Sequence, residues 1–216
     1  MANKQISNPY YKVGILHNEG LDYVVKNLKP RKATIEAVLG LVSEYGQQVT
    51  EARTQIDMAN YYEFAATSLN GLNQIPFAEF LREGKVTREG VCFINDILNV
   101  SPDFDYPTQL EILKNINSNI LYSDMTEKEK QYPLLMAGIA MASVEYWIEQ
   151  INAPKTPWTP FLGGESPARF SWPWKKDGEG AVIGAIGGVT GGIGGVLVGG
   201  LLGGIGASVA AVIFRD

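Results

Sequence analysis

The chain has 216 residues, of which 45% are hydrophobic and 19% charged, and its formal net charge is −5. This length fits one or two domains, and the ordinary apolar fraction excludes wholesale disorder. The negative charge argues against a nucleic-acid partner, because phosphate recognition needs a basic face. One cysteine and one histidine exclude an intrachain disulfide, a cysteine zinc cluster and a His-rich metal site. We therefore expect no enzyme activity, no cofactor and no metal.

The composition divides the chain into three parts. Residues 1–153 carry a net charge of −6, whereas residues 154–216 carry +1. Five of the 11 prolines and three of the four tryptophans lie in residues 154–179, and 13 of the 24 glycines lie in residues 180–206. This predicts an acidic helical domain over 1–153 (the body), a Pro/Trp-rich linker over 154–179 and a glycine-zipper apolar segment over 180–214.

The first half of the body is predicted to be helical after an irregular start. Asn8-Pro9 is a turn signal, residues 1–14 are expected to be irregular, and a short helix from His17 should end before Pro30. From residue 32 to about residue 72, apolar residues recur at steps of three and four. This period predicts helix with one buried face, in two stripes (35–42 and 56–69) with an interruption near Gly46.

The second half of the body carries further helical signals over 77–83, 87–98, 110–120 and 126–151. Thr87, with Glu89 in the first turn, is a predicted N-cap. The clearest stripe, in the last of these segments, consists of Leu134, Ala137, Met141, Val144, Ile148 and Ile151. Because no body segment alternates apolar and polar residues for long, we expect an all-α fold with a bundle of five to seven helices.

The last part of the chain is uncharged from Gly180 to Phe214, a run of 35 residues. A membrane-spanning helix needs about 20 predominantly apolar residues, so the run is long enough. As one straight helix it would extend roughly 50 Å at 1.5 Å per residue, well beyond a hydrocarbon core of about 30 Å. We therefore expect either a tilted, projecting helix or a helical hairpin with its hinge at residues 191–195.

Small residues recur in this run at steps of four. The main row consists of Gly187, Gly191, Gly195, Gly199, Gly203, Ala207 and Ala211. A second row runs through Gly180, Gly184, Gly188 and Gly192, and a third through Gly200, Gly204 and Ser208. Residues four apart share a helix face, and small residues let membrane helices approach closely. The rows predict a glycine zipper that associates into a homo-oligomer.

The residues before this run are typical of a membrane interface. Trp172, Trp174, Lys175 and Lys176 precede it, and Arg215 and Asp216 follow it. Tryptophan prefers the headgroup level, and lysine can extend its charge outward from there. A lipid membrane is therefore the expected partner.

Two other interpretations of the glycine-rich run stay open. It can be a helical hairpin buried in the fold or in an oligomer interface, or a β-prone aggregating segment rich in Val and Ile. Each glycine costs about 1 kcal/mol relative to alanine in a helix interior in water. The run lacks the GxxxxGK[ST] pattern, so a nucleotide site is not expected.

The remaining reactive side chains give weak signals. His17 with Glu19 and Asp22 resembles a metal or acid–base group, but with no second histidine the favoured interpretation is one structural hydrogen bond at a helix start. Cys92 is expected to be a small core residue.

Two motifs resemble parts of known bacterial proteins. The sequence ending in Gly163-Gly164 resembles the double-glycine site of bacteriocin precursors, where cleavage would release residues 165–216. Known leaders are short, whereas 164 residues precede this site. The box His17-Asn18-x-x-Leu21-Asp22-Tyr23-Val24 is similar to one in uncharacterised bacterial proteins, some of which end in a bacteriocin-like glycine zipper. This resemblance implies a membrane-active C-terminal segment and no catalytic residues.

The sequence therefore favours a bacteriocin-like or toxin-like protein whose C-terminal segment inserts in a membrane and permeabilises it. The alternative is a membrane-anchored structural or interaction protein that oligomerises through the zipper, and an enzyme with a buried glycine-rich hairpin is the least favoured interpretation. The N-terminus has no apolar signal region. We expect a membrane-associated protein or one secreted by a non-classical route.

Overall fold

The computed structural model describes residues 8–28, 33–49, 77–101, 103–153, 155–161, 173–187 and 192–213. The α-helices in these ranges are α1 (Tyr11–Asn27), α2 (Ile35–Val49), α3 (Phe77–Arg82), α4 (Arg88–Leu98), α5 (Tyr106–Tyr122), α6 (Glu127–Asn152), α7 (Pro173–Gly187) and α8 (Gly192–Ile213). A short 3₁₀ turn covers Thr159–Phe161. Within the described ranges every regular element is helical, which confirms the all-α prediction.

Side-chain caps fix the starts of three body helices. The Thr87 hydroxyl accepts a hydrogen bond from the amide of Gly90 at the start of α4, as predicted. Asp105 accepts one from the amide of Thr108 at the start of α5. Thr126 and Glu129 exchange bonds in a capping box at the start of α6. Such caps satisfy amides that have no partner within the helix, and each stabilises a helix by about 1 kcal/mol.

Helix α1 begins earlier than the sequence predicted. The Asn8 side chain accepts from the amide of Tyr10 and donates to Leu134 O at 2.8 Å, which fixes the chain just before the helix. The predicted irregular segment up to Gly14 is therefore wrong from residue 11 onward. Gly14 lies inside α1 at its crossing with α6, where a Cβ would collide with the backbone of Gly138.

Helix α2 continues through Gly46 instead of breaking there, so the predicted interruption is also wrong. A Cβ at Gly46 would lie 2.8 Å from Cδ2 of Leu202 on α8. The glycine thus permits close helix packing. The second predicted stripe, over 56–69, lies outside the described residues.

Helix α6 lies between two apolar clusters, and its residues 132–144 are all buried. The first cluster is formed by α3, α4, α5 and α6 together with Ala181, Val182 and Ala185 of α7. The second is formed by α1 and α2 with Trp147, Trp158 and the α8 residues Leu201, Leu202 and Ile205. The glycine-rich helices therefore contribute to both clusters.

Candidate functional site

Helices α7 and α8 form an antiparallel hairpin whose backbones touch. A Cβ at Gly180 would collide with the carbonyl of Gly203, and a Cβ at Gly184 would collide with the carbonyl of Gly199. The second row of glycines therefore packs against the main row within one chain. We call residues 173–187 and 192–213 the hairpin.

The structure places the residues of the predicted zipper in different surroundings. Gly199 and Gly203 face α7, and the Cβ of Ala207 lies beside Gly180. Gly187 ends α7, Gly195 lies in α8, and Ala211 is partly buried near the end of α8. Gly191 lies outside the described residues. Their role in a membrane or in a homo-oligomer stays a prediction.

Helix α8 is covered on all its faces over more than two turns. Residues 199–206 are all buried, and eight consecutive positions cover the whole circumference of a helix. On the body side, Gly20 makes room for Ile205 and Gly46 makes room for Leu202. The sequence signal for these contacts is a glycine inside a helical pattern, which often has a packing reason.

A polar cluster lies where the hairpin meets the body. It consists of His17 on α1, Ser143 on α6 and Asp177 on α7, all of them 0% exposed. The Ser143 hydroxyl donates a hydrogen bond to Oδ2 of Asp177, and Oδ1 of Asp177 lies 3.7 Å from Nε2 of His17. We call these three residues the polar cluster.

Helix α8 covers this cluster through Gly204. A Cβ at Gly204 would lie 3.0 Å from Cδ2 of His17 and 3.1 Å from the carbonyl oxygen of Asp177. Both distances are tighter than ordinary van der Waals contact. A glycine at this position therefore lets α8 close over the charged groups.

The hydrogen bond between His17 and Asn18 indicates that Nδ1 of the histidine ring carries a proton. Asn18 donates from Nδ2 to Ala142 O at 2.9 Å, so its Oδ1 faces Nδ1 of His17 at 3.1 Å and accepts from it. The other ring nitrogen faces the Asp177 carboxylate. Burial alone lowers the pKa of His17, but the charge of Asp177, with smaller contributions from Asn18 and the Gly204 backbone, raises it above the ordinary value.

This arrangement differs from a serine-hydrolase triad. Asp177 lies between Ser143 and His17, so the histidine is not placed to take a proton from the serine hydroxyl. The cluster joins the hairpin to the body through a charge pair that depends on protonation. Asp177 was not predicted as the partner of His17. The predicted position of His17 at a helix start is wrong, because this residue lies in the middle of α1.

A second polar network ties the linker to the body. Trp158 is 0% exposed, its Nε1 donates to the hydroxyl of Tyr146 at 2.7 Å, and that hydroxyl donates to Asp22 at 2.8 Å. The Trp158 ring also packs on Trp147 with 5.2 Å between centroids. Asp22 therefore has a structural role: it accepts the hydrogen bond from Tyr146 and forms an ion pair with Lys26 at 2.7 Å.

The other predicted sites are placed as follows. Trp174 lies in α7, Lys176 is exposed and pairs with Glu179 at 2.6 Å, and burial lowers the pKa of Lys175. Trp172, Gly163 and Gly164 lie outside the described residues. Cys92 is exposed, so its predicted core position is wrong. The buried face of α4 is formed by Gly90, Ile94 and Ile97, and Cys92 lies away from it.

The hairpin and the polar cluster are the main features of the described part of the chain. Within the described ranges, no three His, Cys, Asp or Glu side chains are grouped to hold a metal ion. In the same part of the chain, no helix combines the length and the apolar character needed to cross a membrane. Comparison with protein-family models, with curated proteins and with solved structures finds no match to this chain.

Proposed function

We propose that this is a membrane-active protein of bacteriocin-like or toxin-like character, in which the body covers a glycine-zipper hairpin until the hairpin enters a lipid bilayer and permeabilises it. The observation that carries the proposal is the burial of α8 on all its faces by the body and α7. A helix that is apolar all round belongs either in a protein core or in a membrane.

The contacts inside the hairpin suit both environments. Gly180 and Gly184 meet Gly203 and Gly199 through their backbones, and such close approach is how helices associate in lipid, where no hydrophobic effect drives them together. In water, each glycine in a helix interior destabilises the helix by about 1 kcal/mol relative to alanine. The hairpin therefore keeps its internal packing when the body no longer covers it.

The body supplies the cover that the hairpin needs in water. Ile205 and Leu202 are fully buried against α1 and α2. Exposing such side chains to water costs roughly 25 cal/mol per Å² of apolar surface. Release from the body removes these apolar contacts. A bilayer provides another apolar environment, so the hairpin regains apolar contacts when it enters lipid.

The finer parts of the proposal follow the sequence. The body, the linker and the zipper segment have separate roles, and Trp172, Trp174, Lys175 and Lys176 hold the start of the hairpin at the lipid headgroups. Association of released hairpins through the main row of small residues would form the homo-oligomer. Cleavage after Gly164 would free the hairpin from the body.

The proposal is tested by flotation of the purified full chain with dye-loaded anionic liposomes. We expect the chain to float with the liposomes and to release dye. Ile183→Lys puts a charge on a partly exposed hairpin position, which costs about 2.5–3.5 kcal/mol at the centre of a bilayer and should suppress leakage. Ile15→Lys is the matched control, because Ile15 is 42% exposed on α1 of the body, and its leakage should equal that of the wild type.

The outcomes separate the proposal from its alternatives. Flotation without leakage would favour a membrane-anchored interaction protein. Equal leakage from Ile183→Lys and Ile15→Lys, with both variants shown by circular dichroism to be folded, would contradict a role for the hairpin. Absence of flotation would mean that the hairpin stays a core element of the fold. Unchanged leakage from Gly199→Ile plus Gly203→Ile would exclude the zipper mechanism.

A further inference from the structure

We infer that the polar cluster of His17, Asp177 and Ser143 is a protonation-sensitive latch that holds the hairpin on the body and sets how readily it is released. This inference rests on the proposed function, because it assigns the regulation of the same hairpin. It depends on three observations: the position of Asp177, its buried approach to His17 at 3.7 Å and the apolar surroundings of the pair.

The latch joins the two parts whose separation the function requires. Asp177 belongs to the hairpin, three residues before its uncharged run begins at Gly180. Both of its partners, His17 and Ser143, belong to the body. Release of the hairpin therefore breaks the ion pair and the hydrogen bond together, and leaves a histidine and a serine on the body surface.

A buried ion pair at this position is not the most stable choice. Replacing such a pair by apolar residues of similar volume is often neutral or stabilising, whereas removing one partner is strongly destabilising. Buried pairs are best attested where they specify one arrangement or switch between two. Because neighbouring interface residues such as Ala181, Leu201 and Ile205 are apolar, the charge pair makes this contact sensitive to protonation where an apolar contact would not be.

The charged and polar groups around the pair come from four helices. They are His17 and Asn18 on α1, Tyr106 on α5, Ser143 and Tyr146 on α6 and the Gly204 backbone on α8. Burial raises the pKa of both tyrosines, with a further increase from the charge of Asp177 at Tyr106 and mainly from that of Asp22 at Tyr146, so they stay neutral. On α7 itself, Lys176 and Glu179 pair with each other on the partly exposed side. Among these groups, His17 is the one that titrates near neutral pH.

The sign of the pH effect follows from the raised pKa of His17. The stabilisation from the charged pair is fully present below the ordinary histidine pKa of 6.5 and is lost as the pH rises through the higher folded value. Above that value His17 is neutral, and its ring no longer attracts the Asp177 carboxylate 3.7 Å away. The latch therefore weakens on the alkaline side.

The test is hydrogen–deuterium exchange of the full chain without any membrane, at about pH 6 and about pH 8.5, on either side of the histidine range. Asp177→Asn keeps the shape of the side chain and removes its charge. At the lower pH we expect it to raise exchange in α7 and α8 by roughly a hundredfold, with less change in α5, because opening is local. The ratio between variant and wild type at each pH cancels the intrinsic pH dependence of exchange, and this ratio should shrink at the higher pH.

Two further variants make the test decisive. Ser143→Ala removes one hydrogen bond and should raise hairpin exchange by roughly tenfold, about the effect of one bond to a charged group. Asn117→Ala removes a buried bond of 2.6 Å to Asn8 that contains no hairpin residue. It should leave hairpin exchange within about twofold of the wild type, the scatter expected for independent sites.

The result that overturns the latch is an Asp177→Asn variant whose hairpin exchanges at the wild-type rate, or whose α5 and hairpin amides accelerate equally. If Asp177→Asn is not folded, the same criteria apply to Ser143→Ala. Liposome leakage is scored separately. Faster hairpin exchange with faster leakage supports both the latch and the membrane function, whereas faster exchange without leakage supports the latch and contradicts the membrane function.

Discussion

Helix α4 of the body and helix α8 of the hairpin show two ways in which a sequence encodes helix packing. In α4, Thr87 caps the start, Gly90, Ile94 and Ile97 form one buried face, and Cys92 lies on the exposed side. In α8, residues 199–206 are buried all round. An amphipathic face tells which side of a helix is covered. An all-apolar helix does not, so its sequence leaves open whether protein or lipid covers it.

The glycine rows carry the same ambiguity. Small residues at steps of four let another helix approach closely, and they serve equally within a chain, between chains and in a bilayer. In this structure the partner of Gly199 and Gly203 is α7 of the same chain. The spacing of small residues therefore indicates how closely a helix can be approached, whereas the identity of its partner depends on the rest of the fold.

The largest expected loss of stability comes from a substitution that tests whether residues 155–161 are packed on the body. Trp158→Ala removes a fully buried ring from Tyr146 and Trp147 and should lower the free energy of unfolding by about 3–5 kcal/mol. Denaturant unfolding measures this. Phe104→Ala, at a residue 47% exposed, should change it by no more than about 0.5 kcal/mol. Equal effects would contradict the anchoring of the linker.

The next largest change in stability is expected at a glycine in a tight helix contact, compared with a glycine that has open space beside it. Gly203→Ala places a Cβ against the carbonyl of Gly180, whereas at Gly40 on α2 a Cβ meets nothing within 4 Å. We expect Gly203→Ala to destabilise the chain by about 1–3 kcal/mol through overpacking. Gly40→Ala should stabilise it by up to about 1 kcal/mol through helix propensity. Thermal melts measure both, and a stabilising Gly203→Ala would disprove the backbone contact in the hairpin.

A smaller effect depends on pH. Because the folded pKa of His17 is raised, the stability difference between wild type and His17→Gln should be largest below about pH 6.5 and should decrease as the pH rises. Urea unfolding at several pH values measures this difference. A difference that grows with pH would reverse the expected sign and contradict the charged pair.

The smallest effect concerns the capping box at the start of α6 in the body. Thr126→Ala removes the capping box at the start of α6 and should cost about 1 kcal/mol in urea unfolding. Thr126→Ser keeps the hydroxyl and should cost much less. Hairpin exchange should stay unchanged in both variants, because the loss is confined to the body.

The parts of the fold that local sequence encodes could be predicted. The starts of α4 and α6 lie next to Thr87 and Thr126, whose side chains cap their own helices. The start of α1 was missed because Asn8 acts through Leu134 O on α6, far away in sequence. Contacts of this kind leave no local pattern.

The candidate site was predicted only in part. A helical hairpin was one of the interpretations left open, and the role of the rows of small residues in a zipper stays a prediction. The pairing of His17 with Asp177 joins residues on α1 and α7, and nothing in the residues around either one indicates the other. Gly20 and Gly46 were missed for the same reason, because their packing partners lie on α8.

The central claim is that the body covers a hairpin that later enters a membrane. Hydrogen–deuterium exchange of the full chain with and without anionic liposomes tests this claim most directly. The account predicts that the faces of α1 and α2 that cover Ile205 and Leu202 lose protection on liposomes, while α8 stays protected because it has entered lipid. The same exchange pattern with and without liposomes, in a chain that floats with them, would show that the hairpin never leaves the body and would contradict the account.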